Sequence, residues 1–136
     1  MSLIINWLFN VRWWVFLIYA GALCYGLFRP ESPPDPFNNF DKILHCMAFL
    51  GLGLITRFAF INNLGAKVWT ALLISAPVSE YLQHYLQPYR SFSWLDVIAN
   101  LTGILLALGV WLAAYHTIKS ILQQPNKIKE LTKLSK

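Results

Sequence analysis

Long apolar runs broken by short polar stretches organise this chain. Four runs stand out, at about Trp13 to Phe28, Ile43 to Ile61, Ala66 to Leu86 and Phe92 to Ile118. None alternates apolar and polar residues with period two, and each exceeds the roughly 10 residues of an outer-membrane barrel strand, so the pattern predicts helices. A bilayer's hydrocarbon core is about 30 Å thick and takes roughly 20 helical residues to cross. Four crossings therefore use nearly the whole chain. The expected fold is all-α, an integral membrane four-helix transmembrane bundle over residues 1–118 followed by a tail at 119–136. The prolines Pro30, Pro33, Pro34 and Pro36 break any helix and mark the first loop.

Composition strengthens this reading: 57% of the 136 residues are apolar and 12% are charged, which excludes an ordinary soluble domain. Arg12 followed by the first run has the outline of a signal peptide. However, Tyr25-Gly26-Leu27-Phe28-Arg29 offers no small-x-small cleavage site, and Leu23 before Cys24 does not suit lipoprotein processing, so a retained helix is expected. Cys24 and Cys46 both lie within apolar runs, where a thiol acts as a small hydrophobe, and they argue for neither a disulfide framework nor a metal cluster.

Basic residues near short loops stay on the cytoplasmic side. Arg12 precedes the first run, Arg57 and Lys67 flank the second connection, and Lys119, Lys127, Lys129, Lys133 and Lys136 fill the tail, so both termini are expected in the cytoplasm. The tail carries five of the basic residues behind the net charge of +5, against the single acid Glu130. Topology thus accounts for the charge without nucleic acid. Ile128, Leu131 and Leu134 recur among the lysines, which suits either a short helix on anionic inner-leaflet lipid or a frayed tail.

This threading delivers the remaining polar residues to the opposite face. Asp41 and Lys42 open the second helix there, with His45 one turn deeper on Asp41's face. At about 1.5 Å per residue, Glu80 lies ~20 Å along the third helix from Lys67, in the outer half of the membrane. Gln83, His84 and Gln87 continue its stripe outward, while Asp96 starts the fourth helix with Asn100 one turn deeper. An intramembrane carboxylate is expensive unless it is paired, protonated or turned into the bundle, so Glu80 marks a candidate site. Pairing with Lys42, Arg90 or His45 as a helix lock is the structural account. The number of polar members, and their opening to one face, favours a functional one.

The ordered set Asp41-Lys42-x-x-His45, Glu80-x-x-Gln83 and Arg90-Ser91-Phe92-Ser93-x-x-Asp96-x-x-x-Asn100-x-x-Gly103 resembles the signature of the VanZ-like family, small membrane proteins named for a teicoplanin-resistance determinant. The resemblance covers about residues 41–109, leaving out the first helix and the tail. It implies a multi-pass protein of the bacterial inner membrane that acts on or near the cell envelope and, in some members, lowers susceptibility to lipoglycopeptide antibiotics. It supplies no reaction, and no cofactor is expected.

Three functional classes follow from the residues. In the first, the cluster binds a phospholipid or lipid-linked envelope precursor by its headgroup: Arg90 and Lys42 hold phosphate, and Asp41, Glu80, Gln83, Asp96 and Asn100 meet hydroxyls and amides. In the second, Glu80 or His45 is the general base of a membrane enzyme, with Asp96 orienting the histidine or acting as acid. Ser79, Ser91, Ser93 and Thr102 are the available hydroxyls, with no nucleophile-elbow frame around them. A two-histidine, one-carboxylate metal set of His45, Glu80 and His84 is a variant of this class. In the third, the protein is a scaffold. Ala99, Gly103 and Ala107 on the fourth helix, with Gly51 and Gly53 on the second, allow close helix approach either within the bundle or with a partner, and leave the oligomeric state open. Trp7, Trp13 and Trp14 at one end, and Tyr81, Tyr85, Tyr89 and Trp94 at the other, fit interfacial belts.

Overall fold

The computed structural model describes residues 2–29, 36–61, 65–87 and 90–134, with side chains placed between Asn10 and Thr117 of these. Four helices account for almost all of it: α1 (Ser2–Phe28), α2 (Phe40–Ala59), α3 (Gly65–Leu86) and α4 (Trp94–Leu134). Among the described residues there is no strand. Each apolar run supplies one helix, though Phe60 and Ile61 lie beyond α2 and Phe92 precedes α4, and the outer helices are longer than the runs. α1 starts at Ser2 rather than near Trp13, and α4 continues to Leu134 instead of ending near Ile118. Polar residues such as Asn10 and Arg12 interrupt the hydropathy without interrupting the helix, because arginine is a good helix former. The tail therefore prolongs α4 as helical backbone. The stripe of Ile128, Leu131 and Leu134 and the tail lysines lie outside the described side chains, as do Trp7 and Tyr89. Pro30, Glu31, Pro33, Pro34 and Asp35 lie outside the described residues.

Three helical segments are long and apolar enough to cross a membrane: Asn10–Phe28, Phe40–Ala59 and Trp94–Thr117. α3 is comparable in length at 22 residues but carries Lys67, Ser75, Ser79, Glu80, Gln83 and His84. It also contains Pro77, whose ring has no N–H to donate to the preceding turn.

α2 and α4 form the central pair and run in parallel, as the facing positions 45 with 100, 46 with 103, and 53 with 107 show. Small residues set their separation. A Cβ on Gly103 would overlap the Cys46 carbonyl oxygen, and one on Gly53 would lie 2.6 Å from the Ala107 Cβ. The Gly103 and Ala107 stripe is thus turned onto α2, so its close-packing surface is used inside the bundle. Phe49, Leu72, Ala76 and Ile104 close the apolar core beside it.

α1 lies against α2 and touches α3, with no contact to α4 among the described residues. Tyr19 fits over Gly51 and donates its hydroxyl to the Ala48 carbonyl at 2.8 Å. Further along, Trp13 and Phe16 pack edge-on against Phe60, with ring centroids 4.9 and 5.9 Å away. Arg57 closes the same end of α2: Nη1 donates to the Phe60 carbonyl at 2.7 Å, and the guanidinium lies over Trp111.

The distribution of polarity is that of a protein solvated by hydrocarbon. Ile18, Tyr25, Met47, Ile74, Ile98 and Leu105 are exposed, whereas His45, Glu80, Gln83, Asp96 and Asn100 are buried. With lipid outside, apolar side chains gain nothing by turning inward, and the interior becomes the place for polar groups.

Candidate functional site

The buried polar residues converge at one end of the bundle, where α1 and α3 end and α2 and α4 begin. Two local devices build that end. Asn39, immediately before α2, adopts a left-handed conformation (φ 65°), which asparagine tolerates better than most residues, and this directs Asp41 and Lys42 into the first turn. Before α4, Ser93 is the N-cap: its Oγ accepts the Asp96 N–H at 3.2 Å. That cap fixes the first turn of α4 and points Asp96 inward.

At the centre is a directed chain of hydrogen bonds. Arg90 Nη2 stands 3.0 Å from His45 Nε2, and a guanidinium can only donate, so Nε2 carries the lone pair. The ring proton is then on Nδ1, which donates to Asn100 Oδ1 at 3.0 Å. Asn100 Nδ2 donates in turn to Ser79 Oγ at 3.3 Å, and Ser79 Oγ to the Ala76 carbonyl at 2.8 Å. One arginine thereby fixes a histidine tautomer and an amide orientation across three helices.

The charges form a second network. Asp96, almost fully buried, lies 3.2 Å from Lys42 Nζ through Oδ1 and 3.4 Å from Arg90 Nη2 through Oδ2. Lys42 also pairs with Asp41. Glu80 is fully buried: Oε1 accepts the Ser93 backbone N–H at 2.9 Å, while Oε2 has no partner among the described residues. Gln83 Nε2 donates to the Leu27 carbonyl at 2.7 Å, and Gln87 Nε2 to the Arg29 carbonyl at 2.8 Å. These amides satisfy the free C-terminal carbonyls of α1 and tie it to α3.

Above these networks is a cleft of about 1010 Å³ whose lining includes Tyr19, Arg29, Lys42, His45, Arg90 and Asp96. Asp41, Gln83, Ser91 and Ser93 also reach it, with Gly26 and Ala48 contributing apolar wall.

Of the residues singled out in the sequence, Asp41, Lys42, His45, Glu80, Gln83, Arg90, Asp96 and Asn100 all come to this end. His84 does not join His45 and Glu80. It is exposed, with Nδ1 donating to the Arg90 carbonyl at 2.9 Å, and the acid that meets His45 and Glu80 is Asp96. One helical turn from Glu80 is a sequence distance, and it leaves open which side of α3 the ring occupies. The hydroxyls of Ser79, Ser93 and Thr102 are engaged with backbone or amide groups. Arg29, Tyr19 and the Ser93 N–H were not singled out in advance. Only Ser93-x-x-Asp96, a helix-start pattern, signalled any of them.

The structure defines a small all-α membrane protein with a charged cleft over a closed polar network. The sequence profile of the VanZ/LLP1 family matches residues 4–118, and the chain belongs to that family. The match takes in α1, which carries none of the motif. An uncharacterized protein of Schizosaccharomyces pombe, C11E3.10, is 29% identical over 104 residues, covering 74% of this chain and 64% of that relative. The chain thus spans under two thirds of the relative's length. No solved structure matches.

Proposed function

We propose that this cleft holds the phosphate-bearing headgroup of a membrane lipid or lipid-linked envelope precursor. The observation that carries the reading is the convergence of three cations, Arg29, Lys42 and Arg90, on one cleft at the end of a bundle whose outer surface is apolar. Arg29 Nε has no partner among the described residues. Guanidinium and ammonium groups together suit a phosphate ester, the former in bidentate fashion and the latter as a point charge. Asp41 and Gln83 at the rim suit the hydroxyls or amides of the same headgroup.

The parallel run of α2 and α4 supports four crossings, because a chain that spans twice in the same direction must return in between, and α3 would be the returning segment. Arg12, Arg57 and Lys67 lie at the end away from the cleft, which supports cytoplasmic termini and a cleft open to the outer leaflet. In a bacterial inner membrane this position would bring the cleft to envelope precursors and could alter teicoplanin susceptibility without catalysis. The basic tail would rest on anionic inner-leaflet lipid.

The test is native mass spectrometry of protein extracted with its lipids. The wild type is expected to retain a defined phospholipid or lipid-linked phosphate that Arg90→Ala loses. Equal, mixed lipid on both proteins would reject the reading. The catalytic alternative, with His45 or Glu80 as base and Asp96 as acid, rests on the unpartnered Glu80 Oε2. It requires the retained lipid to be turned over by the wild type and left intact by Glu80→Gln.

A further inference from the structure

His45 of α2, Glu80 of α3 and Asp96 of α4 each bring one ligand-type atom to a common point, with these atoms within 4.8 Å of one another and all three residues buried. Their orientation is what a metal site needs. The His45 Nδ1–H is held by Asn100 Oδ1, which leaves the Nε2 lone pair facing inward. Metal-binding histidines are commonly fixed in this way by donating the other ring N–H to a carbonyl or carboxylate. Glu80 is held through Oε1 by the Ser93 N–H and leaves Oε2 without a partner among the described residues. Asp96 Oδ1 lies 3.2 Å from Lys42 Nζ and Oδ2 lies 3.4 Å from Arg90 Nη2, so a cation that displaced the guanidinium would meet Oδ2.

The place a cation would take is filled in this conformation by Arg90, whose Nη2 is 3.0 Å from His45 Nε2 and 3.4 Å from Asp96 Oδ2. Arg90 and Lys42 both pair with Asp96, which leaves the second carboxylate unserved. Glu80 has no ion pair among the described residues although it is fully buried, and an uncompensated buried carboxylate is strongly unfavourable. A neutral imidazole with two carboxylates carries two negative charges, which a divalent cation balances. Arg90 belongs to the segment between α3 and α4 and keeps 27% of its side chain exposed to the cleft, so it has somewhere to go. Metal–ligand bonds of about 2.0–2.2 Å put tetrahedral ligand atoms ~3.4 Å apart, so the three side chains, which offer ligand atoms within 4.8 Å of one another, would draw together on a bound metal.

We propose that His45 Nε2, Glu80 Oε2 and Asp96 Oδ2 form a divalent transition-metal site, with Arg90 standing in the cation's place in this conformation. One nitrogen and two carboxylate oxygens suit zinc or manganese better than a softer metal. His45 and Asp96 line the cleft while Glu80 is fully buried, and the site does not depend on a lipid ligand.

The experiment is equilibrium dialysis of metal-stripped, detergent-purified protein against zinc alone, with bound metal counted by elemental analysis. Arg90→Ala is expected to bind one equivalent at least ~10-fold more tightly than the wild type, since the competing guanidinium is gone. Glu80→Gln and Asp96→Asn are each expected to weaken uptake at least ~10-fold, and His84→Gln to leave it unchanged. A gain of affinity in Arg90→Ala does not arise from misfolding, and it runs opposite to the expected loss of lipid, so this proposal and the headgroup reading fail separately. Binding by Arg90→Ala no tighter than by the wild type would overturn the site. So would the absence of saturable uptake by that variant, or loss of the bound equivalent in His84→Gln.

Discussion

Asp96→Ala is expected to unfold the cleft end of the bundle more readily than any other single truncation there. Asp96 is the carboxylate shared by Lys42 and Arg90, and it is almost fully buried. Removing it leaves two cations facing each other, with Asp41 compensating only Lys42. Removing one partner from a buried ion pair costs about 3–5 kcal/mol. Lys42 and Arg90 keep 25% and 27% of their side chains exposed, so the low end of that range, roughly 3 kcal/mol, is expected here. Tryptophan fluorescence during denaturant titration in detergent would measure it. Asp96→Asn keeps the shape and two polar atoms and is expected to lose less, which separates charge from packing. A loss below ~1 kcal/mol in Asp96→Ala would show that the cations are satisfied by solvent in the cleft, as exposed pairs are.

Gly103→Ala is the second large effect. The added Cβ would overlap the Cys46 carbonyl oxygen and come within 2.8 Å of the Leu50 nitrogen. Both are backbone atoms, so no side chain can yield and α2 must move from α4. Overpacking of this kind typically costs about 1–3 kcal/mol. The separation would also stretch the His45 to Asn100 bond, which joins the same two helices one turn away. Gly103→Ala is therefore expected to weaken lipid retention as well as stability. Gly109→Ala is the control: a Cβ there meets nothing within 4 Å, and replacing glycine inside a helix gains up to ~1 kcal/mol. Parallel melts of the two variants should move in opposite directions.

The relation between sequence and site is clearest at His45 and His84. Both lie one turn from an acid of the motif, Asp41 and Glu80 respectively, and spacing alone treats them alike. Packing separates them. His45 faces α4 across the seam that Gly103 holds close, while His84 lies on the exposed side of α3. Ser93 shows a similar gap: it was visible as a hydroxyl, but its backbone N–H on Glu80 and its capping of α4 depend on how the chain turns between α3 and α4.

The apolar runs alone determined that the chain folds as four helices, since run length and the lack of period-two alternation are local properties fixed by the dimensions of helix and bilayer. Polar residues at the ends of those runs likewise determined which end of the bundle would carry Asp41, Glu80 and Asp96, because depth along a helix is proportional to residue number. Depth says nothing of azimuth. The faces that meet follow from the closest approach the small residues allow, and only the packed structure decided that Asp96 rather than His84 joins His45 and Glu80, that Arg29, just beyond α1, reaches the cleft, and that one oxygen of Glu80 is left without a partner among the described residues.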